Sequence, residues 1–313
     1  MSFAGFSFFY PFWGKKRRRN MKFMNFRNYI LFILPALLIY LLFFAGPIFS
    51  GLYYGFTDWN GFSFKADWVG LENFREAFRD PLLLTALKNM LILSVVVIVL
   101  QHSFSILLAV LLDQKLKGIV WMRAVIFFPV ILNTVVIGYV WSYMYAPMVG
   151  FLPKFFDAIG LHGLAALDWL GDPKLAIYAI ALVMVWQYTG YSMMIYLAGL
   201  QSVSGEIYEA ASIDGAGPWN KFWRVTLPLL IPSIIVNTVL SVIGCMKMFE
   251  HVFIMTQGGP ANSTQTFGIM IYQYAFKTSQ MGYGTAMAMI LSVMILAVTY
   301  VQIKLLSRME VAN

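Results

Sequence analysis

Six windows of mainly apolar residues, each about 20 or more long, alternate with short runs rich in polar residues, glycine and proline. They run over 29–51, 90–112, 124–146, 175–200, 229–249 and 283–303. An α-helix rises 1.5 Å per residue, so roughly 20 residues cross a hydrocarbon core of about 30 Å. Open strands of this length would leave unpaired edges in lipid, whereas helices satisfy their backbone groups internally. The pattern predicts an all-α, polytopic membrane protein with six transmembrane helices.

Composition agrees. The chain is 60% hydrophobic and 12% charged, with a mean hydropathy of +0.73. A soluble domain carries about a quarter charged residues, so this one cannot cover a globule with polar surface. The one cysteine, Cys245, excludes an internal disulfide. With the N-terminus inside, 14 of the 22 basic residues and 5 of the 14 acidic ones face the cytoplasm, a net +9 against −1 outside. Basic residues near span ends set orientation, which predicts a multi-pass inner-membrane protein with both termini cytoplasmic. The formal charge of +8 then needs no nucleic-acid partner. At the N-terminus, the aromatic stretch from Phe3 to Trp13 precedes the run Lys15–Arg19, the reverse of a signal peptide. That tail either lies at the interface beside anionic lipid headgroups or only helps to orient the chain.

This topology puts loops 52–89, 147–174 and 250–282 outside and 113–118 and 201–228 inside. The organisation reads as a cytoplasmic tail (1–28), a first span with its external loop (29–89), and a five-span core (90–308) containing the inner loop 201–228. No soluble domain or internal repeat is visible. Nor is bond-breaking chemistry: there is no G-x-x-x-x-G-K-[ST] phosphate loop, and His102, His162 and His251 lack metal-ligand spacing. No catalytic residue, cofactor or metal is expected. An intramembrane histidine is a functional candidate by default, although a satisfied packing role is the plainer reading of His102. An ion-coupled secondary transporter would need buried carboxylates, and no window holds Asp or Glu in its central part.

The inner loop is the informative segment. Ser204 is placed to cap a short helix whose first turn carries Glu206, favourable at the positive helix end. Ile207, Tyr208, Ala211 and Ile213 give it an apolar side, and Ala210 and Ala211 keep it thin. Gly215 suits the end of the helix, and Gly217-Pro218 turns the chain. The shape suits insertion into a groove on a partner. These residues resemble the EAA motif of binding-protein-dependent ABC importer permeases: Glu209-Ala210-Ala211, three residues, Gly215, nine residues, then Val225-Thr226-Leu227-Pro228. The single departure is Val225 where the family pattern has Ile. The resemblance assigns ATPase coupling to Glu209, Ala210, Ala211, Asp214, Gly215 and Pro228.

Further stretches are similar to carbohydrate permeases of the maltose and glycerol-phosphate type: Trp68 to Phe74, Asp80-Pro81, Ala86 to Asn89, Gly199-Leu200-Gln201 and Thr256 to Pro260. The resemblance covers nearly all the chain beyond the tail. It implies the type I ABC permease fold and partnership with a second, non-identical permease subunit. Two ATP-binding subunits below and an external solute-binding protein above complete the set. The chain itself would not be an enzyme, since ATP hydrolysis would sit on the separate subunits. A sugar or oligosaccharide is the implied substrate, with an acidic, uronate-containing oligosaccharide or a glycerol-phosphate-like solute as the alternative. By the same resemblance Tyr188, Tyr191, Ser241, Cys245 and Met248 occupy substrate-contact positions. Maltose-type permeases carry amides at the last two, which argues against maltose. Lys247 is added as the recognition group for an acidic sugar, against snorkelling to headgroups or pairing with Glu250 along one helix face.

Overall fold

The computed structural model describes residues 26–114 and 117–311. The aromatic tail, the basic residues Lys15–Arg19 and Lys22, and Lys115 lie outside the described residues, as do the side chains of Arg27 and Arg308. Two units are distinguished, 1–50 and 51–313. The first holds α1 (Phe26–Tyr40), a π-helical stretch over Leu41–Ala45, and the start of α2 (Gly46–Tyr54). Together these form one apolar segment long enough to cross a bilayer.

The described residues of the second unit are mainly helical. After α3 (Glu72–Arg79) come α4 (Pro81–Leu112), α5 (Ile119–Ile131) and α6 (Thr134–Tyr145), then the short α7 (Phe151–Ala158) and α8 (His162–Ala165). The long α9 (Ala176–Gln201) leads through α10 (Gly205–Ile213), α11 (Pro218–Lys221) and α12 (Leu227–Leu229) to α13 (Ile231–Met246). Next, α14 (Glu250–Met255) and α15 (Phe267–Tyr272) precede α16 (Met281–Val311).

Counting each of two bent helix pairs as one span gives six spans, in a less regular form than six straight windows. Four helical segments are long and apolar enough by themselves, at 30–54, 81–112, 176–201 and 281–306. The other two spans are bent. The third breaks by 95° between α5 and α6, and the fifth by 65° between the α11–α12 segment and α13. The third break has local causes that a hydropathy window averages away. Pro129 sits near the end of α5, and the Asn133 side chain accepts from the Val135 N–H, starting a new helix rather than continuing the old one. The second span also begins earlier than expected, at Pro81, because Asp80 caps it by accepting from Leu82 N–H at 2.8 Å.

Helix α9 is central: 61% of its span is buried, against 33% for α4 and 22% for α16. Its small residues make this possible. A Cβ at Gly190 would collide with the Ile126 carbonyl and lie 2.8 Å from Phe127 Cα, so α5 rests directly on the α9 backbone there. Small residues that let backbones approach are the usual means of packing helices where lipid is as apolar as the side chains. Helix α4 packs along α9, α13 lies against α4 and α16, and α14 is held by α6 and α9. The stretches 68–74 and 256–266 are structural locks. Asn73 donates to the carbonyls of Gly55 and Thr57, and Asn89 donates to that of Gln265 at 2.9 Å.

Candidate functional site

Two features stand apart from the apolar packing: the α9–α13 connection and a cavity between α4, α9 and α13.

In the connection, Ser204 Oγ accepts from Glu206 N–H at 3.3 Å, and α10 runs to Ile213. Gly215 has φ +77°, the left-handed region that a Cβ disfavours. Glu209, Ala210, Asp214 and Gly215 are exposed, with Ala211 and Pro228 half-buried. Ile213 is 85% exposed and Trp219 73%. Lys221 Nζ donates to Ser212 Oγ at 2.7 Å, folding the segment after the turn back against α10. A short helix with a thin alanine edge and exposed apolar side chains is thereby left at the surface.

The cavity has a volume of about 430 Å³, inside the range of roughly 300–1,000 Å³ usual for ligand pockets. All six candidate substrate residues line it: Tyr188 and Tyr191 from α9, Ser241 and Cys245 from α13, and Lys247 and Met248 just beyond α13. Tyr191 and Lys247 are exposed, Tyr188 and Ser241 half-buried, and Cys245 and Met248 buried as wall. The pairing of Lys247 with Glu250, the alternative to a recognition role, does not form. Helix α13 ends at Met246 and α14 starts at Glu250, so the two are not on one helix face. Arg75 and Glu72 form an exposed ion pair, and His162 Nδ1 lies 2.6 Å from Asp157 Oδ1. Both Lys247 and Glu250 line the cavity.

The remaining lining comes from Val97, Gln101, Met184, Leu240, Gly244 and Glu250. Of these, Val97 and Gln101 on α4 carried no sequence signal, because the facing of three helices decides them. Behind the wall lies a polar network. Gln101 Nε2 donates to Ser192 Oγ at 2.6 Å, and Ser192 Oγ donates to Asn237 Oδ1 at 3.0 Å. His102 is engaged at both nitrogens, with Tyr196 Oη at 2.5 Å from Nδ1 and Ser241 Oγ at 3.0 Å from Nε2. His251 Nε2 and Gln187 Oε1 meet at 2.7 Å. The ring of Tyr188 stands edge-on to that of His251, with centroids 6.1 Å apart.

An intramembrane cavity with a mixed polar and aromatic wall, in a bundle that also exposes a short helix between two of its spans, suits a solute-passing membrane subunit. The comparisons give that class its family. Residues 92–311 match the binding-protein-dependent transport system inner membrane component family, and the chain belongs to it. The multiple sugar-binding transport system permease protein MsmF of Streptococcus mutans is 35% identical over 283 residues, covering 90% of this chain and 95% of that protein. The diacetylchitobiose uptake system permease protein NgcF of Streptomyces coelicolor is 32% identical over 289 residues, covering 89% and 82%. Among solved structures, a chain of a bacterial ABC transporter involved in import of the acidic polysaccharide alginate superposes with a TM-score of 0.78 at 22% identity, covering 90% of this chain and 96% of that one. That likeness establishes the fold. The chain is thus a multi-pass inner-membrane permease.

Proposed function

We propose that this chain is one membrane subunit of an ATP-driven importer that carries a sugar or oligosaccharide inward. Its partners in this reading are a second, non-identical permease subunit, two ATPase subunits docked at loop 201–228, and an external solute-binding protein. Both termini and the α9–α13 connection face the cytoplasm, and ATP is hydrolysed on the separate subunits. The relatives named for sugar and chitobiose uptake support the substrate class.

The observation that carries the reading is the gathering of Tyr188, Tyr191, Ser241 and Gln101 around one cavity. Sugars offer hydroxyls and weakly apolar C–H faces, which phenol rings beside amide and hydroxyl groups accommodate. Lys247 and Glu250 bring opposite charges to the same cavity, which favours a neutral sugar over a uronate. Uptake by the reconstituted complex tests the substrate class, with maltotriose, diacetylchitobiose and an alginate oligosaccharide as probes. A neutral probe is expected to accumulate with ATP, and Lys247→Ala is expected to leave neutral sugars favoured. Selective loss of the alginate probe in that variant would establish the acidic alternative; loss of neither class or of both equally would count against it.

A further inference from the structure

We propose that His102 is a positioning residue: it holds the Ser241 hydroxyl with its hydrogen aimed into the cavity, so that the wall offers a donor at Ser241 and an acceptor at Gln101. The inference rests on the carbohydrate reading and names the groups that would meet a pair of sugar hydroxyls.

The direction of each bond follows from what is buried. Tyr196 has no exposed surface, so its O–H must find an acceptor within the protein. His102 Nδ1 lies 2.5 Å away. The Tyr196 hydrogen therefore goes to His102 Nδ1. An uncharged imidazole is the economical form in a bilayer interior, and it carries one N–H. With Nδ1 accepting, that hydrogen is on Nε2, 3.0 Å from Ser241 Oγ. Ser241 then accepts from His102 and keeps its own hydrogen for the cavity it lines.

The same logic orients Gln101. Asn237 Nδ2 faces the Ser192 carbonyl, which turns Oδ1 toward Ser192 Oγ. Having donated there, Ser192 Oγ accepts from Gln101 Nε2 at 2.6 Å. Oε1 is left as the group Gln101 can offer to the cavity. A donor and an acceptor that line one cavity can meet two hydroxyls of a sugar, one accepting and one giving. Buried networks of this kind hold a single pattern of donors when every member is satisfied.

Two measurements test this. The first needs no substrate: nitrogen-15 spectra of histidine-labelled complex in lipid, with His102 assigned by difference from His102→Gln. The expected ring is neutral with its hydrogen on Nε2, and Tyr196→Phe should displace the Nδ1 resonance. A hydrogen on Nδ1, or a cationic ring, overturns the proposal. The second is uptake of maltotriose and diacetylchitobiose by reconstituted complexes carrying Ser241→Ala, His102→Leu, both together, or His102→Gln. Each single removal should lower uptake about tenfold, the scale of one hydrogen bond. The double variant should be no worse than Ser241→Ala, because the two act through one contact, and His102→Gln, which keeps an amide donor, should recover most of the loss. Losses that multiply in the double variant contradict the proposal. If wild type carries neither sugar, the carbohydrate reading fails for those probes, and the spectra still decide His102.

Discussion

The Gln187 amide and the His251 imidazole meet at 2.7 Å, and both residues are buried, at 1% and 0% exposure. Gln187 lies in the middle of α9, eleven residues beyond Ala176 at its start, whereas His251 belongs to the short α14 that follows α13. The chain beyond α13 therefore turns back to bury its first helix against the core of the bundle. The pair holds the stretch carrying Met248 and Glu250 against the cavity.

Removing one partner should show this. Gln187→Leu leaves a buried imidazole without its acceptor, and interhelical hydrogen bonds in membranes average about 0.6 kcal/mol with a ceiling near 1.7. We expect a lowered unfolding temperature of the purified complex in Gln187→Leu and in His251→Leu, with a smaller cost in the double variant than the two combined. Equal melting of all variants would show that the contact contributes nothing.

The crossing of α5 over Gly190 makes a second prediction. A methyl group there meets the backbone of Ile126 and Phe127 rather than a movable side chain. Gly190→Ala should therefore destabilise the fold by about 1–3 kcal/mol, the usual cost of overpacking. Gly163→Ala, where a Cβ meets nothing within 4 Å, should be near neutral in the same thermal assay.

A third concerns Asp80, which caps α4 and also accepts from Tyr274 Oη at 2.5 Å. Burial, together with the Asp80 carboxylate, pushes the Tyr274 phenol up to about 12. The folded form thus holds this proton more tightly than the unfolded one, so its contribution is complete below about pH 10 and is lost as pH rises toward 12. Tyr274→Phe should melt lower at neutral pH, and its stability should fall less steeply than that of wild type between pH 10 and 12. Parallel curves would remove Tyr274 from this role.

Much of this was legible from residue type and spacing, for reasons that differ by element. Apolar length alone delimits the spans around 30–54, 176–201 and 281–306, because lipid imposes a fixed thickness. Ser204, Gly215 and Pro218 mark the loop helix through local capping and turn chemistry. The 95° break after Leu132 was not legible at the scale of a hydropathy window, though Pro129 and Asn133 carried the local signal. Tyr188, Tyr191, Ser241, Cys245, Lys247 and Met248 come to one cavity, but Gln101 joins them through the packing of α4 on α9, which no local pattern encodes. The Lys247–Glu250 pairing failed for a local reason: the helix ends between them.

The most direct test of the account compares ATP-driven sugar uptake in wild type and Gly215→Glu, with Gly215→Ala as the control. A Cβ has open space at Gly215, so alanine adds only the left-handed backbone cost of about 1–2 kcal/mol, whereas glutamate also places a charge on the docking face. Membrane insertion should be normal for all three, with uptake in wild type only when ATP is present. Gly215→Glu should lose both the ATPase subunits on purification and uptake. Sugar accumulation that persists in Gly215→Glu, or that runs on an ion gradient without ATP in wild type, would contradict it.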